Sequence, residues 1–162
     1  MSFHKIFVAL DTKELSHQVF VQALGMAVAN KAEMMLFHGI PINQIGERGM
    51  PIPVELGMVN PELVDQAYQA QTVRIEHNLE HGHELLQNYY DAAQKREIKP
   101  EFDCKMVEDV GSFVCQAAET WGADLIVLGR RGRTGLAEAI LGSVSNHVVH
   151  HAKCCVLVIQ SH

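Results

Sequence analysis

The chain has 162 residues, 48% hydrophobic and 20% charged, a balance that suits one ordinary globular domain able to bury a core without disulfide staples. Its net charge of −6 argues against a general nucleic-acid binder, which needs a basic surface, so any phosphate ligand must be held by a local positive site. No apolar run approaches bilayer-spanning length, and Met1-Ser2-Phe3-His4-Lys5 lacks the apolar core and cleavage site of a secretory signal; no membrane association and a cytoplasmic location are expected.

Ile6-Phe7-Val8-Ala9-Leu10 is an apolar run ending at Asp11-Thr12 and predicts a buried strand. A helical pattern follows, with Leu15, Val19, Ala23 and Ala27 on one face and Phe20 and Leu24 beside it. Met34 to Phe37 form a second apolar run, ending at His38-Gly39-Ile40. Residues 41–60 hold three prolines and three glycines, which predicts a flexible loop: a flap, a partner loop or a disordered insertion. Pro61 opens a long helix with Ile75, Leu79, Gly82, Leu86, Tyr90 and Ala93 at helical spacing and Glu76, Glu80 and Glu84 on a solvated face.

Phe102, Cys104 and Met106 alternate with Glu101, Asp103 and Lys105, the pattern of an edge strand with one wet face. Phe113, Val114, Ala117, Ala118 and Trp121 mark the inner side of a short helix that stops at Gly122. Residues 124–128 predict a fourth strand. Ser143 opens a helix carrying Val144, Val148 and Val149, and residues 155–159 predict a fifth strand. Strands alternating with helices imply one doubly wound α/β domain over 1–162. Its five parallel strands, in order 3-2-1-4-5, would carry helices on both faces. Ligands of such sheets bind beyond the carboxyl ends of the strands, where the winding reverses, here between strands one and four.

Chemistry concentrates after the fourth strand, in Gly129-Arg130-Arg131-Gly132-Arg133-Thr134-Gly135 and in Gly142-Ser143-Val144-Ser145. Glycines 129 and 132 would let the backbone turn sharply and approach a ligand. Gly142 precedes a helix whose first N–H groups suit phosphate, with Ser143 and Ser145 as further hydroxyl donors. The three arginines supply the local positive site. A basic surface loop is the plain alternative, but the position between a strand and a helix is the context a phosphate site needs. No Gly-Lys-Ser/Thr is present, and the loop is too late in the chain for a dinucleotide fingerprint.

The spacing Gly-x2-Gly-x9-Gly-Ser, filled by Gly129, Gly132, Gly142 and Ser143, resembles the nucleotide signature of ATP-binding universal stress proteins. Residues 8–12, 36–40, 123–129 and 154–159 resemble that family's first, second, fourth and last strands. The resemblance implies that Asp11 holds the ribose with Thr12 beside it, and that the backbone of Gly39 bonds the adenine edge. It also implies that Gly129 and Gly132 pack on ribose and phosphates and that Gly142, Ser143, Val144 and Ser145 cap the phosphates. Arg130 and Arg131 join this set through their charge. The implied cofactor is ATP or another adenine nucleotide, with magnesium accompanying the phosphates. The implied role is a nucleotide-dependent regulatory switch in the stress response, working with protein partners the sequence does not identify, and with at most slow hydrolysis. The alternatives are a weak ATPase or phosphotransferase, a sensor of AMP or cyclic AMP, and a nucleotide-free interaction protein. Pairing through the last strand into a homodimer is implied as well.

Other polar groupings have simpler readings. His77 and His81 lie one helical turn apart without a third ligand at clear spacing and read as exposed helix histidines. His150 and His151 suit a helix C-terminus, and adjacent Cys154 and Cys155 diverge on a strand, which disfavours zinc. No cysteine pair has CxxC spacing, so Cys104, Cys115, Cys154 and Cys155 are expected as free thiols. No nucleophile and base stand out; His38 is expected as a satisfied core histidine.

Overall fold

The computed structural model describes residues 2–42, 61–130 and 142–160. In chain order its elements are β1 (Lys5–Ala9), α1 (Leu15–Asn30), β2 (Glu33–Pro41), α2 (Pro61–Gln94), β3 (Glu101–Val107), α3 (Val110–Trp121), β4 (Leu125–Gly129), α4 (Ser143–His151) and β5 (Cys155–Ile159). The strands form one parallel sheet in the order β3-β2-β1-β4-β5, the order expected from the alternation of elements. Most of the 41–60 stretch and the centre of the glycine loop, including Arg131 and Gly132, lie outside the described residues.

The sheet has two buried faces because its strands alternate between two cores. Ile6, Val8, Met34, Leu36, Ile40, Leu125 and Val127 pack with Val19, Phe20, Ala23 and Ala27 of α1 and Leu86 and Ala93 of α2. Phe7, Phe37, Ile126 and Leu128 point the other way, onto Val114 and Ala118 of α3 and Val148 of α4. The central run Ile6-Phe7-Val8 is at most 2% exposed, as a strand covered on both faces must be. On α4, Val149 turns outward at 43% exposure, so the apolar face there is Val144 and Val148.

Several strand ends differ from the sequence expectation by about a residue, as β1 covers Lys5–Ala9 and β4 Leu125–Gly129. β2 runs on to Pro41, paired with Val107, and Ile42 N–H donates to the Val107 carbonyl. Proline is tolerated because its missing N–H would have faced the β1 side, and β1 has already ended. β4 starts at Leu125, and Asp124 just before it ties the strand starts together, its carboxylate accepting from the backbone N–H groups of His4 at 2.7 Å and Lys5 at 3.1 Å.

Helix α2 sits close on the sheet because Gly82 has no side chain. A Cβ there would run into Cys104 Sγ and come within 2.9 Å of His38 Cδ2. Helix α3 begins at the Asp109 N-cap, whose carboxylate accepts from Ser112 N–H at 2.6 Å, and ends at Gly122, where φ of 79° favours glycine.

Two stability effects follow. Gly82→Ala should destabilise the fold by about 1–3 kcal/mol in urea unfolding, through overpacking that outweighs alanine's helix preference. The Cys104→Ala background should relieve much of that loss, and an equal loss in both backgrounds would show that the Sγ contact is not its cause. Asp109→Ala should cost about 1 kcal/mol at neutral pH by loss of the cap. Ser112 N–H, then the Ser112 hydroxyl, hold the Asp109 carboxyl below its usual range. A depressed folded value means the cap contributes fully above the ordinary aspartate range near ~4 and fades as pH falls through the lower folded value. The stability gap between wild type and Asp109→Ala should therefore narrow on acidification, and a gap constant with pH would count against the charged cap.

Candidate functional site

β1 ends at Ala9, paired with Phe37 of β2 and Leu128 of β4, whereas β2 continues to Pro41. The helix that follows β1 lies on one face and the helix that follows β4 on the other. The winding therefore reverses between these two strands, and the carboxyl ends there bound a crevice.

Asp11 stands over the end of β1 and is held from two sides. Its Oδ1 accepts from Lys13 N–H at 2.8 Å and from the Ser16 hydroxyl at 2.7 Å, while Asp11 N–H donates to Ser16 Oγ at 2.8 Å. Among the described residues Oδ2 has no partner, so this oxygen is available to a ligand hydroxyl. Thr12 is exposed beside it. Ser16 was absent from the sequence-based site. It is 3% exposed, and its signal was a polar residue on the apolar face of α1, one turn before Phe20.

The β1–β2 ladder stops in an unusual way. Leu10 N–H donates to the Phe37 carbonyl at 2.8 Å, but the Leu10 carbonyl accepts from His38 Nδ1–H at 2.9 Å. That carbonyl is the one Gly39 N–H would meet if the ladder continued. Among the described residues no hydrogen bond joins Gly39 N–H to Leu10. The period of two along a strand turns the Gly39 N–H and C=O toward the β1 side, as those of Phe37 are. They face the crevice. His38 is buried and its Nδ1 is satisfied, as expected of a core histidine, and its bond leaves the Gly39 edge open. The space that a Gly39 Cβ would take is bounded by Phe37 Cε1 and Val110 Cγ1, each 3.1 Å away. Val110, the first residue of α3, thus supplies apolar surface beside Gly39 that the sequence did not reveal.

Gly129, the last residue of β4, has a different reason from the one expected. Gly129 needs no left-handed backbone; a Cβ there would meet Leu15 Cδ2 at 3.0 Å and Val19 Cγ2 at 3.2 Å. Glycine at 129 lets the first turns of α1 lie against the end of β4. The half-buried Arg130 donates its backbone N–H to the Ile159 carbonyl at 2.8 Å, tying the loop's start to β5.

At α4, Gly142 is the N-cap with φ −59° and ψ 159°, and no side chain bonds the helix start. Asn146 N–H donates to the Gly142 carbonyl at 2.8 Å, the first bond of the helix. The N–H groups of Ser143, Val144 and Ser145 precede it and have no acceptor within the helix. Ser143 is exposed, but Ser145 is 1% exposed and its hydroxyl donates to the Gly142 carbonyl at 3.0 Å. Ser145 therefore offers its backbone N–H and not the hydroxyl expected from the sequence. Since β5 starts beside the start of β4 and only three residues link α4 to β5, α4 runs back along the sheet with its N-terminus at the carboxyl ends of the strands.

On the other side of α1, Tyr89 of α2 packs on Phe20 with ring centroids 4.5 Å apart. Burial, and secondly the negative charge of Asp11, push its phenol upward, so it stays neutral. Among the described residues no three or more His, Cys, Asp or Glu side chains gather as metal ligands, and no helix is long and apolar enough to cross a membrane.

Comparison with known proteins gives the same frame. The model of the universal stress protein family matches residues 2–160. Universal stress protein Sll1388 of Synechocystis is 35% identical over 164 residues, covering 99% of each chain. The solved structure of protein MJ0577 superposes with a TM-score of 0.74 at 19% identity, covering 100% of this chain and 99% of that one. A universal stress protein solved in complex with cAMP does so with a TM-score of 0.63 at 18% identity, covering 98% of both. The chain belongs to the universal stress protein family.

Proposed function

We propose that this chain binds ATP, or another adenine nucleotide, across the carboxyl ends of β2, β1 and β4 and serves as a nucleotide-dependent switch in the stress response. The observation that carries the reading is the start of α4. Three backbone N–H groups lie together behind a cap residue with no side chain to compete, which is a helix N-terminus left open for an anion. The rest of the crevice fits the same ligand. The backbone of Gly39 faces an adenine edge with Val110 as apolar neighbour, Asp11 Oδ2 meets the ribose beside Thr12, and Gly142 to Ser145 take the phosphates with Gly129 and Arg130 alongside. Arg131 and Gly132 belong to this set by the sequence signature. Magnesium would accompany the phosphates.

Two proteins of similar fold support an adenine ligand: the one in complex with cAMP, and one from Archaeoglobus fulgidus in complex with dAMP. They also keep a monophosphate or cyclic nucleotide as the second reading. The open helix start and Arg130 favour a polyphosphate. Slow hydrolysis at most is expected. Phosphoryl transfer to water needs a group that positions the nucleophile, and the imidazole nearest the crevice, His38, is committed to Leu10. A homodimer through β5 is part of the proposal, because that edge strand is half-buried and, among the described residues, no strand lies on its outer side.

Calorimetric titration with ATP, ADP, AMP and cAMP in the presence of magnesium should show saturable ATP binding with little phosphate released. A turnover near ordinary enzyme rates, about 10 per second, would overturn the switch in favour of an enzyme. Gly142→Asp should abolish binding, since its carboxylate occupies the anion position. Asp is also a good N-cap, so thermal stability should hold or rise by a few tenths of a kcal/mol. Retained affinity in a folded Gly142→Asp protein would move the site elsewhere. Sedimentation at micromolar concentration should return a dimer mass, and a monomer would remove the pairing through β5.

A further inference from the structure

We propose that His77 and His81, on the outer face of α2, form a two-imidazole site for a divalent transition-metal ion of the zinc class, with Glu84 as the carboxylate behind it. The two Nε2 atoms face each other at 3.2 Å, with ring centroids 4.3 Å apart. That is not the common resting place of a histidine on the helices of this chain. His83, His150 and His151 each place Nδ1 2.8 Å from the carbonyl four residues back. His147 and His151 have the same four-residue spacing as His77 and His81, yet their rings stack at 18°, His151 bonds a backbone carbonyl and His147 Nε2 faces Ser112 Oγ. Among the described residues only the pair on α2 sets two ring nitrogens against each other.

The separation of these two nitrogens suits a shared metal. With metal–nitrogen bonds of about 2.0–2.1 Å, nitrogens 3.2 Å apart subtend about 100° at the ion, between octahedral and tetrahedral angles. Imidazole nitrogen suits zinc, copper and nickel. Glu84 Oε2 lies 3.8 Å from His81 Nδ1. At that separation the carboxylate does not hydrogen-bond the ring, but its charge favours the tautomer with the proton on Nδ1, which leaves the Nε2 lone pair toward His77. Without metal, His77 Nε2–H donates to that lone pair. Zinc takes the place of this hydrogen, which returns through water to Nδ1 of His77, so both Nε2 atoms become ligands. Both side chains of the His81–Glu84 pair are more than half exposed, and the other coordination positions fall to water. The site is therefore open and exchangeable, and independent of the nucleotide reading.

Zinc chloride titrated into the full nucleotide-free chain, followed by calorimetry and by the imidazole C–H signals in proton NMR, tests this. One saturable zinc site is expected, with the signals of His77 and His81 shifting first. His77→Ala and His81→Ala should each weaken it roughly tenfold or more, at least as much as loss of an outer-shell partner does, whereas His151→Ala should leave it unchanged. Both α2 side chains are exposed, so these variants should fold. Absence of zinc binding by the wild type, or an affinity untouched by His77→Ala and His81→Ala, overturns the proposal.

Discussion

The central strand is four residues shorter than its neighbour β2, and the candidate site depends on that inequality. β1 spans five residues and β2 nine, with their starts in register, so the excess of β2 stands above the end of β1 with one side unpaired. A strand edge of this kind normally needs water or a neighbour for its N–H and C=O groups. Here His38 takes the Leu10 carbonyl that Gly39 N–H would otherwise meet, which leaves the Gly39 edge open, and Asp11 turns the chain away at once through its bonds to Lys13 and Ser16. Because Ser16 belongs to α1, the same bonds that shape the rim also fix where α1 starts. Gly129 then lets that start press against β4. Turn, helix and crevice are one construction.

Charge is distributed to the same end. A chain of net charge −6 repels phosphate at long range, so the proposed ligand would have to be held by groups at contact distance. Backbone N–H groups at a helix start meet that need without any burial of a charged side chain. Their effect is strongest where nothing else caps them, and the contrast between the two helices on that face is informative. At α3, Asp109 caps the first turn with its own carboxylate, which closes that helix start to anions. At α4, Gly142 provides nothing, and Ser145 turns its hydroxyl back on the cap carbonyl. One start is closed and the other open, although both lie at the same end of the sheet.

The strands were legible in the sequence because burial on both faces writes itself as continuous apolar runs, and their order followed from the alternation with helices. The candidate phosphate loop was read from glycine spacing, and its centre lies outside the described residues. What the sequence misjudged was the reason for individual residues. Gly129 is a packing glycine under Leu15, not a turning one. Ser145 offers a backbone group in place of its hydroxyl. Ser16, His38 and Val110 act through partners 5, 28 and 71 residues away, namely Asp11, Leu10 and Gly39. Such distances leave no period in a single sequence. Gly82 appeared as one more member of a helical stripe, yet only the packed β2–β3 pair shows that any larger residue would strike Cys104.

The two edges of the sheet argue in opposite directions about association. β3, at one edge, carries Glu101, Asp103 and Lys105, with Lys105 paired to Asp103 at 2.7 Å, and α2 lies over it. Charges on an edge strand discourage pairing with another chain. β5, at the other edge, is Cys155-Val156-Leu157-Val158-Ile159 and has no charge at all. Beside it lies an open groove of about 460 Å³ lined by His17, Gln18, Val21, Gln22, Val158, Ile159 and Gln160, with Val21 47% exposed. An uncharged edge next to exposed apolar surface invites either aggregation or a defined partner. The second copy proposed above would meet the first feature if a two-fold axis beside β5 paired the strands, and it would approach the second, since Val21 lines the groove next to that edge. It would also couple the site to the interface, since Arg130, at the start of the phosphate loop, hangs by its N–H from the Ile159 carbonyl at the end of that strand.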